Sequence, residues 1–254
     1  MDKKVLVDFL DNILNLKKFQ ADASNNGLQV ETKSQEVKKI AFAVDAAKEV
    51  FEKAKEVNAD FLIVHHGLSW GSHPKVFTSI VADRLGFLFN NDISLYAVHL
   101  PLDANIDFGN NAELAKIINL ANIDTFFEYS GVEIGVIGTL EQPKCLTDIQ
   151  AIYEERLNAK GQIYGKQDSS VHKVAICSGG AGKEVLIAAA QIGADLLVTG
   201  EFTHTMYHIQ KELGINVLAL GHYATETVGV NALGKIITEK FGVECEFIDI
   251  PTNL

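Results

Sequence analysis

Cysteine is scarce in this chain. Cys145, Cys177 and Cys245 are the only three in 254 residues. Their odd number and wide spacing exclude a disulfide framework and a zinc ribbon built on paired cysteines. They read as reduced, mostly buried thiols of a cytoplasmic protein. Cys177 ends a strand-like run beside a glycine-rich turn, so it alone has a second reading as a reactive thiol. Proline is also rare, with four residues, and no stretch is of low complexity; both argue against long linkers and disorder. Positive charge is short, since 22 Lys and Arg face 33 Asp and Glu for a formal charge of −11. General binding to nucleic-acid backbones needs a basic surface and is disfavoured, although a nucleotide held beside metal ions remains compatible. No apolar run is long enough to cross a membrane. Asp8 and Asp11 interrupt the apolar segment that begins at Val5, which reads as an amphipathic first helix rather than a signal peptide.

What is present is an α/β pattern. A hydrophobic content of 47% over this length can bury one large core or two small ones. The stretch from Lys39-Ile40-Ala41 to Ala59-Asp60-Phe61-Leu62 resembles the stretch from Lys173-Val174-Ala175 to Ala194-Asp195-Leu196-Leu197. Within them, Lys48-Glu49-Val50 matches Lys183-Glu184-Val185 at the same distance from Ala-Asp. Each copy reads strand, turn, helix, Ala-Asp, apolar strand. A repeat of this length indicates a duplicated α/β unit rather than a short-repeat solenoid. The expected organisation is a first α/β repeat over residues 1–125 and a second over 126–254, interleaved as one globular unit.

Histidines cluster at the expected strand ends. The run Phe61-Leu62-Ile63-Val64 leads into His65-His66-Gly67. The run from Leu95 to Val98 leads into His99, with Asp103 four residues on. The run from Ile215 to Leu220 leads into Gly221-His222, with Glu226 four residues on. Neutral imidazoles at the end of a rigid strand make good metal ligands, and open α/β sheets bind ligands at the carboxyl ends of their strands. Each feature alone also has a plain reading as a surface or satisfied histidine. Pro101 argues against a regular helix from His99 to Asp103, so that pair should converge through a turn. Glu226 should sit in the first turn of a helix, with His222 just before it.

Together, His65, His66, Asp103, His222 and Glu226 offer borderline nitrogen and hard oxygen, a mixture that suits Zn, Mn, Fe or Ni without thiolate. Five ligands with two carboxylates exceed what one tetrahedral zinc needs. Because a carboxylate can bridge, two divalent ions about 3.5–4 Å apart are the natural expectation. His99 is either a hydrogen-bonding support, a substrate contact or a satisfied buried histidine.

Other motifs keep two readings each. Ser178-Gly179-Gly180-Ala181-Gly182-Lys183 is a phosphate cradle at a helix start or a tight turn needing glycine. It is not a Walker A loop, because Glu184 follows Lys183. Glu201 occupies the place where the first copy has a histidine. It is a general base, a group that orients a metal-bound water, or a hydrogen-bond acceptor behind the ligands. His204 and His208 have ligand-like spacing but no carboxylate completes a set. Trp70 is a core aromatic on the plainer reading and a stacking wall for a planar substrate on the other. His73 and His172 have no evident partners.

Read together, these residues resemble the Nif-three-like family, often labelled GTP cyclohydrolase 1 type 2-like. The resemblance runs nearly end to end, through Asn26-Gly27-Leu28-Gln29-Val30, His65-His66-Gly67 with Trp70, His99-Leu100-Pro101-Leu102-Asp103-Ala104, Gly109-Asn110-Asn111, Ser178-Gly179-Gly180-Ala181-Gly182, Thr199-Gly200-Glu201, and Gly221-His222-Tyr223 with Thr225-Glu226. It implies two intertwined, duplicated α/β repeats with mixed sheets and a dinuclear metal site. By motif, the ligands fall on His65, His66, Asp103, His222 and Glu226. It also implies a ring-shaped homo-oligomer, typically a hexamer, without the middle domain of longer members. The chain departs at Glu31, where glycine is common, and lacks an aromatic usual before Asn26. The expected function is a metal-dependent hydrolase of a nucleotide or related heterocycle, with GTP ring opening and formate release as the concrete candidate. Glu201 and His99 are its catalytic candidates. The alternative is a non-catalytic metal-binding oligomer that serves protein interaction or metal delivery.

Overall fold

The computed structural model describes residues 1–72 and 76–254; His73 lies outside them. In chain order the elements are α1 (Lys3–Ile13), β1 (Gly27–Val30), β2 (Lys39–Asp45), α2 (Lys48–Glu56), β3 (Phe61–His66), α3 (Ser79–Asn90), β4 (Ser94–Ala97), α4 (Leu100–Asp103), α5 (Asn110–Ile117), β5 (Ala121–Tyr129), β6 (Val132–Cys145), α6 (Leu146–Leu157), β7 (Gln162–Tyr164), β8 (Ser170–Cys177), α7 (Gly182–Gln191), β9 (Leu196–Thr199), α8 (Tyr207–Leu213), β10 (Asn216–Ala219), α9 (His222–Phe241) and β11 (Glu244–Phe247). Local chemistry accounts for several. Asp2 caps α1 by accepting from the Val5 amide at 3.0 Å, and Leu6 and Leu10, one turn apart, are its buried face. Helix α2 carries Glu49 in its first turn and Lys53 and Lys55 in its last, each sign matched to the helix dipole.

One compact unit comprises Met1–Leu102 with Val230–Ile250. Its sheet runs β1-β4-β3-β2-β11. Strands β11, β2, β3 and β4 are mutually parallel, and β1 is antiparallel at the edge. The buried run of β3 is apolar on both faces, as a covered parallel sheet requires. Its core includes Val30, Phe51, Leu62, Val64, Leu88 and Leu95.

The other unit comprises Asp103–Gly229 with Pro251–Leu254. Its sheet runs β5-β6-β8-β9-β10-β7. Strands β8, β9 and β10 are parallel, with antiparallel partners on both sides. Leu146, Tyr153, Val174, Leu196 and Leu218 belong to its core. The unit boundary falls inside α9, so compact units and linear halves are cut differently.

The duplication extends to single hydrogen bonds. Asp60, ahead of β3, accepts from the amides of Lys38 and Lys39. Asp195, ahead of β9, accepts from those of His172 and Lys173. The amide of Asp60 donates to Lys39 O and that of Asp195 to Lys173 O. The protein is thus a mixed α/β structure with two mixed sheets and a repeated parallel β-α-β core.

Candidate metal centre

In the first unit, three histidines end parallel strands or follow them. His65 and His66 close β3, and the last β2–β3 register pair is Asp45 with His66. Successive strand residues face opposite sides, yet the two rings lie 4.7 Å apart by centroid, because the ladder ends there. His99 follows β4, with ring centroids 5.2 Å from His65 and 5.8 Å from His66. One ligand nitrogen from each of the three lies within 4.8 Å of the others, close enough to hold a metal ion. Each Nδ1 meets a protein oxygen: Val98 O for His65 at 2.8 Å, Asp45 Oδ1 for His66 at 2.8 Å, and Asp22 Oδ1 for His99 at 2.9 Å. Carbonyl and carboxylate oxygens accept, so Nδ1 donates and Nε2 carries the lone pair. Burial raises the Asp22 carboxyl, but the hydrogen bond and charge of His99, with help from Asn26 and Ser24, outweigh it and hold the group below its usual range. Asn26 also accepts from the His99 amide at 2.7 Å.

In the second unit, Asp103 is buried and accepts from Asn110 Nδ2 at 2.8 Å and Ser178 Oγ at 3.1 Å. Asn111 binds Asp103 O and Ile134 O through Nδ2 and accepts from the Ser178 amide. His222 and Glu226 lie one turn apart at the start of α9. His222 Nδ1 meets Glu201 Oε1 at 2.5 Å, and its Nε2 lies 3.2 Å from Glu226 Oε1. The hydrogen bond to Glu226 exceeds the opposing effect of burial, Glu201 adds to it, and the imidazole is pushed up to about 9. Glycine shapes this corner. Gly179 has φ +62°, and a Cβ there would lie 2.3 Å from Glu226 Oε1. At Gly200 a Cβ would lie 2.7 Å from both Gly179 O and His222 Cα. That crowding explains why the second copy has glycine where the first has His65.

The donor chemistry fits divalent metal. Buried carboxylates accompany imidazoles, and every histidine in the candidate ligand set has Nδ1 engaged by a protein acceptor, the arrangement that fixes a metal-binding tautomer.

Several expectations need correction. Leu100–Asp103 is a single helical turn despite Pro101, because a first-turn residue needs no amide for the helix ladder. The Leu100 amide instead donates to Asp22 Oδ2. His222 opens α9 rather than preceding it, so His222 and Glu226 share one helical face. Trp70 is not core: it is 38% exposed. The Ser178 and Gly179 amides donate to Asn111 Oδ1 and Thr225 Oγ1, so those two amides serve a tight turn and not an anion cradle. His204 lies in a 3-10 turn ahead of α8, and His208 is exposed on that helix. Burial, with the charges of Asp103 and Glu226, drives the Cys177 thiol far up, which removes the reactive reading. Glu201 faces the Nδ1 of His222. Asp22 and Asp45 hold histidines of the first unit, Asn110 and Asn111 hold Asp103 in the second, and none of the four is a candidate in the sequence. The one available signal was that Asn110 and Asn111 fall within a family motif.

Comparison with known proteins agrees with this architecture. A family model described as Duf34/NIF3 (NGG1p interacting factor 3) matches residues 1–253. A protein of Pyrococcus horikoshii named "GTP cyclohydrolase 1 type 2 homolog" is 49% identical over the full length of both chains. A protein of Archaeoglobus fulgidus with the same name is 47% identical over the full length of both. Among solved structures, TTHA1606 from Thermus thermophilus is 39% identical with TM-score 0.90, covering all of each chain. Reduced HcgD from Methanocaldococcus jannaschii is 27% identical with TM-score 0.86 over 98% of each. The chain belongs to the Duf34/NIF3 family.

Proposed function

We propose that this protein is a dinuclear-metal-dependent hydrolase acting on a nucleotide or related heterocycle, with ring opening of GTP and release of formate as the concrete reaction. The observation that carries the reading is the common posture of His65, His66 and His222, each with Nδ1 on a protein oxygen. With Asp103 and Glu226 they would hold two divalent ions, drawn from Zn, Fe, Mn or Ni. Such ions supply Lewis acidity and make water reactive near neutral pH. Release of the imidazole-ring carbon of guanine as formate breaks both of its carbon–nitrogen bonds and consumes two waters, so protons must reach two leaving nitrogens. His99, backed by the buried Asp22 carboxylate, is suited to move them. Glu201 supports His222 and acts through it. The name shared by the relatives favours GTP among nucleotides.

The assembly in this reading is a homo-oligomer, a hexamer, and its three free cysteines suit a reducing cytoplasm. The family's description as an interacting factor favours a second reading, a metal-bearing oligomer that binds a protein partner. Elemental analysis of protein purified without chelator or added metal, run beside GTP turnover and formate release, separates the two. About two metals per chain with formate supports the enzyme. Two metals without turnover removes GTP and favours the binder, and absence of metal sinks both.

A further inference from the structure

Trp70 is the chain's single tryptophan and is 38% exposed. The loop that carries it is tied down by hydrogen bonds. Trp70 Nε1 donates to Gly67 O at 2.9 Å, and its backbone forms an antiparallel bridge with Ser24. Gln29 Oε1 accepts from the Leu68 and Ser69 amides at 2.7 and 3.1 Å. Asn25 Nδ2 donates to Ser69 Oγ and Gly71 O at 2.8 and 3.2 Å. The Gly71 amide donates to Ala23 O at 2.6 Å. Such bracing holds the indole in place while 38% of the residue stays open to a partner, as a preorganised contact surface requires. The ring's position says what it would contact. Its centroid lies 5.0 Å from His99 at 70° and 6.1 Å from His66 at 42°, so the indole forms one wall beside the histidine cluster.

We propose that the exposed part of the Trp70 indole stacks on the planar heterocycle of the substrate and holds that ring beside His99 and His66. The inference rests on the hydrolase reading for its substrate class, but it concerns binding and is testable without turnover. Stacking needs only a π-face, so it selects a base over a phosphate chain. Selection among bases is left to polar contacts.

Because Trp70 is the only tryptophan, its emission, excited at the red edge, reports this residue alone. As-purified protein would be titrated with GMP, GTP and inorganic triphosphate. Saturable quenching by GMP and GTP, with none from triphosphate, is expected. Calorimetry then follows GMP binding to two variants. Trp70→Phe should keep affinity within about three-fold, and Trp70→Ala should lose about ten-fold or more. Quenching by triphosphate alone, or Trp70→Ala binding GMP like wild type, overturns the proposal. So does failure of both guanine nucleotides to bind, or a Trp70→Ala variant that changes oligomeric state while keeping GMP affinity, which would assign the indole to a contact between copies. Formate release with unchanged Trp70→Ala binding would leave the hydrolase reading standing without the stacking wall. Stacking without formate release would do the reverse.

Discussion

At the scale of single residues, the candidate site depends on who holds each imidazole. Asp45 Oδ1 sits 2.8 Å from His66 Nδ1 and Glu201 Oε1 sits 2.5 Å from His222 Nδ1. Removing such partners typically weakens metal binding by about 10–100-fold. Asp45→Asn and Glu201→Gln are therefore expected to lower metal affinity by that order while leaving a folded protein, measured by competition with a chromogenic chelator. A Glu201→Gln protein that keeps wild-type metal affinity and loses turnover would instead make Glu201 the general base. Titration gives a second check. In metal-free protein the His222 imidazole is raised from 6.5 to about 9. A raised imidazole stabilises the fold fully below the unfolded value and loses that contribution as pH climbs through the folded one. Metal-free stability should accordingly decline between about pH 6.5 and 9, and the decline should shrink in His222→Gln. Parallel urea-denaturation profiles for the two proteins across that range would refute it. The thiols supply a third. Cys177 is buried with its thiol pushed far up, whereas Cys145 and Cys245 are partly accessible. Iodoacetamide at neutral pH should label those two in the native protein and spare Cys177 until unfolding, and peptide mapping that finds native Cys177 alkylated would contradict this.

At the scale of elements, the parts legible in the sequence were those whose signal is local. The β-α-β pattern repeats over Lys39–Leu62 and Lys173–Leu197 with its Ala-Asp marker, and the marker proves to be a structural device, since Asp60 and Asp195 accept equivalent amides. The apolar runs ending in histidine are strands β3 and β4, and the run from Ile215 yields β10. Less legible were features set by partners far along the chain. Asp22 reaches His99 across 77 residues, and Asp45 reaches His66 across 21; neither has periodicity to announce it. The start of α9 was misplaced because His222 is a weak N-terminal signal. The turn from β8 to α7 shows why a glycine run misleads. It resembles a phosphate loop, but Gly179 serves a close approach to Glu226. Gly179→Ala would combine a φ of +62° with a Cβ 2.3 Å from that carboxylate. The left-handed conformation alone costs about 1–2 kcal/mol, and the clash must displace a carboxylate of the proposed ligand set. A lower melting temperature together with reduced metal content is expected, and an unchanged metal content would show that Glu226 can shift without loss.

At the scale of the whole molecule, resident metal would add by linkage alone to the stability that the packed cores supply. A ligand that binds only the folded chain stabilises it by about 2.7 kcal/mol when present at a hundred times its dissociation constant. For a chain of 254 residues, each kcal/mol corresponds to roughly 2–4 °C in melting temperature. Stripping the protein with a chelator should therefore lower Tm by about 5–10 °C, and readdition of Zn, Fe, Mn or Ni should restore it to different extents. His65→Ala and Glu226→Ala should already melt near the stripped value and respond little to chelator, because the ligand set is incomplete before any metal is removed. The comparison separates a metal effect from a generic cost of mutation: a variant that is merely destabilised would melt lower and still fall further on chelation. If stripping leaves Tm unchanged in the wild type, the histidines and carboxylates hold no resident metal, and the hydrolase and metal-bearing binder readings fall together.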